Sequence, residues 1–125
     1  MRDTMSGRRI AGPDPTERFQ MIVGFVEDSL EQVCRDTVFG YRRAPVLASR
    51  RNANAGFHIY EKLRPARIHF HVHVDVYSIE LSNITENQSY TCDTLSSFEE
   101  QLQASVRGLE SRLLYSTQLF KNLSP

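Results

Sequence analysis

Residues 68–77 read Ile68-His69-Phe70-His71-Val72-His73-Val74-Asp75-Val76-Tyr77, and apolar and polar side chains alternate there without a break. A strand sends successive side chains to opposite faces. The pattern predicts one face of Ile68, Phe70, Val72, Val74 and Val76, and a second face of His69, His71, His73, Asp75 and Tyr77. Neighbours on the second face would stand about 6–7 Å apart, two strand rises of about 3.3 Å each. The strand is expected to run from Arg67 to about Ser82, long enough that a bend or bulge should interrupt it.

Two other stretches carry helical periodicity. Asp14-Pro15-Thr16-Glu17 is a start signal, with Asp as N-cap, Pro at the first helical position and Glu three after the cap. Phe19, Ile22, Val23, Val26, Leu30 and Val33 then recur at helical spacing, which predicts a helix over about 15–36. Ser96 and Glu99 predict a second capping box. Phe98, Leu102, Val106, Leu109, Leu113 and Phe120 follow as the apolar seam of a helix over about 96–121, widened by Leu114, Tyr115 and Leu119. Phe57 to Leu63 reads as a strand interrupted by Arg64-Pro65. Asn83 to Asn87 reads as a polar turn, after which Gln88 to Asp93 pairs back as a hairpin.

Residues 1–13 read as a flexible basic arm, and 14–125 as a single domain. Within it, Gly40, Pro45 and the run Asn52-Ala53-Asn54-Ala55-Gly56 predict a long Arg-rich loop at 37–56, with Val46-Leu47-Ala48 able to form a short strand. The expected fold is α+β, an antiparallel sheet of three to four strands with two helices packed on one face, in the order helix, strands, helix. That order is shared with double-stranded-RNA-binding domains, but their Lys-rich start to the last helix is absent, because Ser96-Ser97-Phe98-Glu99-Glu100 is acidic. With Arg8-Arg9-Ile10 as a first short strand, the layout resembles ribosome hibernation factors. Neither likeness of layout brings a diagnostic motif, and layout alone does not confer function.

A length of 125 residues suits one domain with a real core, and 40% hydrophobic with 24% charged residues is ordinary for a globular protein. No apolar run approaches the length of a membrane span. The N-terminus lacks the apolar segment of a secretory signal, so the expected location is cytoplasmic or otherwise intracellular, with Cys34 and Cys92 free. Net charge is zero but unevenly placed. Residues 1–67 hold 12 Lys+Arg against 8 Asp+Glu, and residues 68–125 hold 3 against 7. Residues 37–56 hold Arg42, Arg43, Arg50 and Arg51 with no acid, and such a segment seeks anions.

Two chemistries follow. Arg42, Arg43, Arg50, Arg51, Arg64 and Arg67 suit phosphate contact, and His69, His71, His73 and Tyr77 could stack on bases or meet a protein partner. Alternatively, His71, His73 and Asp75 could hold zinc, since histidines two apart on a strand share a face. They match the start of the His-x-His-x-Asp-His pattern of metallo-hydrolases, but Val76 stands where the last His should be. No Gly-x-Ser-x-Gly turn and no Gly-rich phosphate loop occurs, so catalysis is not the leading expectation. The leading expectation is a non-catalytic binding protein acting on RNA or a ribonucleoprotein. An acidic protein partner or a homodimer comes second, and a zinc protein or enzyme third. No cofactor is expected beyond that zinc.

Overall fold

A computed structural model describes residues 14–46 and 53–123, with side chains through Ser116. The basic arm, Leu47, Ala48, Arg50 and Arg51 lie outside the described residues. The elements are α1 (Pro15–Arg35), β1 (Phe39–Ala44), β2 (Asn54–Glu61), β3 (Arg64–Asp75), β4 (Ile79–Asn83), β5 (Gln88–Cys92) and α2 (Leu95–Leu123). The five strands form one antiparallel meander in the order β1-β2-β3-β4-β5. The class and the helix–strands–helix order are those the pattern predicts, with one strand more than the expected three to four.

Both extra features have local causes. Residues 39–44, expected as loop, form β1, because Phe39 is fully buried and supplies the apolar anchor of an edge strand that pairs along β2 from Glu61 to Gly56. The strand expected over 67–82 is instead a hairpin. The Asp75 carboxylate accepts from the backbone N–H of Tyr77 at 2.7 Å and of Ser78 at 2.8 Å, which reverses the chain. β4 then pairs back on β3, from Val74 with Ile79 to Phe70 with Asn83.

Both helices lie on one face of the sheet. Asp14 caps α1, accepting from the Thr16 N–H at 2.9 Å. At the other end, the Lys62 ammonium in the β2–β3 turn donates to the carbonyls of Cys34 and Thr37, both at 2.9 Å, where a cation meets the negative end of the helix. α2 is capped by Thr94, whose hydroxyl accepts from the Ser97 N–H at 3.0 Å, rather than by Ser96. Ile22, Val26 and Leu30 of α1, and Phe98, Leu102, Val106 and Leu109 of α2, close over Phe57, Ile59, Phe70, Val72, Val74, Ile79 and Leu81. Leu113 packs half-buried at the rim. Among the described residues no helix is long and apolar enough to cross a membrane.

Candidate functional site

The face away from the helices is built by register. Arg42 stands opposite His58, His58 opposite His71, and His71 opposite Ser82. Alongside run Gly56, His73 and Glu80 in one row, and Gly40, Tyr60 and Ile68 in another. Directly opposed residues share a face and sit close enough to interact. The His58 and His71 rings are 5.2 Å apart between centroids, tilted by 58°. The Arg42 guanidinium lies 4.8 Å over the Tyr60 ring and donates to the Pro65 carbonyl at 3.2 Å. Gly40 leaves room for that ring, since a Cβ there would come within 2.9 Å of Tyr60.

Two of the imidazoles here, His58 and His71, are shifted toward the neutral form. Burial lowers His58, and the Arg42 charge lowers it further. Burial also lowers His71, aided by His58 and His73 and opposed by Glu80. Neutral rings present flat aromatic surface and one donor and one acceptor nitrogen each.

His69 does not belong to this row. β3 carries one more residue than β2 between the pairs Ile59–Phe70 and Tyr60–Ile68, and that residue is His69. Such a bulge re-aims a side chain. It turns His69 to the helix side, where it is only 4% exposed and meets the Phe39 ring edge-on at 5.7 Å. Its Nε2 and a Glu61 carboxylate oxygen are 2.5 Å apart, and its Nδ1 and the Thr85 hydroxyl are also 2.5 Å apart. Ile68, expected among the apolar residues, takes the place opposite Tyr60 instead.

Glu61 gathers the remaining cations. Burial alone would raise its carboxyl, but hydrogen bonds from His69 and Arg64, with the Arg64 charge, hold it below the usual carboxylate range. Arg64 donates to it at 2.7 Å, and Arg67 stands 3.7 Å away. The order hydroxyl, imidazole, carboxylate from Thr85 through His69 to Glu61 is one that can activate a nucleophile. Here it ties the β4–β5 loop to β3, next to the bond from the Ile84 N–H to the His69 carbonyl at 2.8 Å.

The arginine pair is also divided. Alternation along β1 sends Arg43 to the helix side, 4.9 Å over the Phe57 ring and 3.5 Å from Glu27. Tyr77 sits in the β3–β4 turn, 66% exposed, with Arg18 at 5.5 Å over its ring, away from the histidines. Asp75 is committed to that turn, so the zinc set of His71, His73 and Asp75 is not assembled as a trio. Among the described residues no three His, Cys, Asp or Glu side chains are arranged to hold a metal ion. Cys34 and Cys92 are free and buried. Burial pushes the Cys34 thiol up to about 11 against the pull of Lys62, and it raises Cys92 as well. Neither makes a ready nucleophile.

Sequence reasoning missed His58 and Tyr60 as members of the face and Glu61 and Thr85 as partners of His69. The alternation Phe57-His58-Ile59-Tyr60-Glu61 carries a signal for the first pair. A scan against protein-family models, a search of curated proteins and a search of solved structures found nothing that matches this chain.

Proposed function

We propose that this protein is a non-catalytic binding protein that takes a single-stranded segment of RNA, free or within a ribonucleoprotein, on the open face of its sheet. The observation that carries this reading is the contiguous set Arg42, Tyr60, His58, His71 and His73 on one solvent-facing surface. Flat rings on a sheet suit splayed bases, which stack on aromatic side chains regardless of sequence. Arg42 supplies phosphate contact beside them, and Arg64 and Arg67 outnumber the Glu61 charge they share. Arg50 and Arg51 remain candidates by sequence alone.

Binding of a labelled oligouridylate measured against salt tests the reading. Affinity should fall by about 0.7 log units per log unit of salt for each phosphate contact on a single strand. Arg42→Ala should flatten the slope by about one contact. Tyr60→Ala should cost about 1–3 kcal/mol of affinity with the slope unchanged. Absence of binding at about 50 mM salt, where the electrostatic contribution is strong, defeats the proposal.

A protein partner or a second copy is the other reading. It is favoured by Leu63, 95% exposed, and Leu114, 52% exposed, which stand around a groove of about 660 Å³ also lined by Val38 and Leu113. Sedimentation across a concentration series distinguishes a self-associating chain from a monomer.

A further inference from the structure

We propose that the cross-strand pair His58 and His71 is a chelating site for a divalent transition-metal ion of the copper, nickel and zinc class. This does not rest on nucleic-acid binding, since the ligands are judged on their own geometry.

The two residues are register partners on adjacent strands, so their backbones are fixed relative to each other by the sheet. Their rings stand 5.2 Å apart between centroids and are tilted rather than stacked, at 58°. At that separation one nitrogen of each ring can reach a common ion at the usual distance of about 2.0–2.1 Å. No hydrogen bond ties either imidazole to another described residue, unlike His69, whose two nitrogens are both engaged. An imidazole binds metal in its neutral form, through the nitrogen that carries no proton.

The surroundings fit a chelate. Arg42 faces His58 from β1, but its guanidinium is turned to the Tyr60 ring and the Pro65 carbonyl. From β4, Glu80 stands opposite His73, next along β3 from His71, and contributes a negative charge near the ion. Gly56 sits beside the pair, where a Cβ would fall 2.7 Å from Val46 Cγ1 and 3.4 Å from His71 Cε1. The bare glycine lets Val46 lie over this end of the face as an apolar cover. Apolar cover around a metal site limits solvent access and lowers the local dielectric. With two protein ligands the ion keeps positions for water, and imidazole donors favour Cu²⁺ over Ni²⁺ and Zn²⁺ in the usual order of affinity.

The test is a titration of the purified full chain with Cu²⁺ alone, followed by calorimetry and by the electron paramagnetic resonance pattern of bound nitrogen. Saturation at one ion per chain with two imidazole nitrogens is expected. Zn²⁺, which is not paramagnetic, should shift the His58 and His71 ring protons and leave those of His69 in place. His58→Gln and His71→Gln should each weaken binding about tenfold or more, because either change removes the chelate. Asp75→Asn should leave affinity unchanged. Thermal melts of the variants without metal establish that each is folded, and Cu²⁺ should raise the wild-type midpoint but not theirs. Equal affinity in wild type and both His→Gln variants would overturn the proposal and assign the ion to an adventitious site. Loss of RNA binding with copper binding intact would overturn the proposed function alone.

Discussion

His69 and His71 are two residues apart on one strand, and they live in different chemistries. His69 is 4% exposed, wedged between Glu61 and Thr85 with both ring nitrogens engaged. His71 is half-buried on the open face beside a second imidazole, and burial lowers its pKa below the ordinary histidine value. Strict alternation would give them the same environment. One inserted residue in β3 separates them, because a bulge lets His69 and Phe70 both turn toward the helices. The first histidine ties the loop after β4 to the sheet, and the second stays on the open face.

That contrast is broken most forcefully on the core side of the same strand. Phe70 is fully buried, packs edge-on against Phe39 at 6.2 Å and neighbours both histidines. Phe70→Ala should cost about 3–5 kcal/mol in a denaturant melt. A cost below about 1 kcal/mol would mean that the layer over β3 is not packed as described.

Next in size is the lock itself. His69→Ala strips a buried carboxylate of one partner and should cost about 1–3 kcal/mol, with faster amide exchange in the loop after β4. Thr85→Val should loosen the same loop and cost less than His69→Ala, because the Glu61 bond survives. Equal costs would show that the loop, not the carboxylate, carries the energy.

Acid should act on the two histidine environments in separate windows. His58 and His71 have folded values below the ordinary 6.5, so the unfolded chain binds protons first as pH falls. Their contribution is complete above that value and is lost as pH drops below it. Glu61 is depressed below 4.5, so its contribution is present above that value and is lost only on further acidification. Removing His58 and His71 together should abolish the upper loss and leave the lower one. Stability measured at steps between neutral pH and the carboxylate range checks this, and an upper loss that persists in the double variant would contradict the assignment.

The smallest expected effect is on the open face. His71→Ala should change stability by no more than about 0.5 kcal/mol at neutral pH, since no hydrogen bond is broken. A loss as large as that of His69→Ala would erase the distinction between the two residues.

Much of this organisation is legible in the sequence. Asp14-Pro15 and the spacing of Ile22, Val26 and Leu30 announce α1, and Leu102, Val106 and Leu109 announce α2, since helix caps and amphipathic periodicity are local properties. Phe70, Val72 and Val74 declare their buried face by simple alternation. The β3–β4 turn was within reach, because Asp75 followed by Ser78 has the spacing of a side chain that caps its own reversal. The strand over Phe39–Ala44 was harder, because Gly40 and the two arginines weaken its apolar signal and an edge strand is stabilised by its neighbour.

By itself the sequence determined the class of fold, the helices, the core side of the central strand and the placing of imidazoles outside much of that core. Only the tertiary structure decided which imidazoles meet. Sheet register joins residues distant in the chain, so His58 found His71 and Arg42 found Tyr60. A bulge arises from the fit between two strands, so it turned His69 from that surface to Glu61. Local pattern fixes the face a side chain prefers within one strand, whereas pairing between strands fixes what it touches.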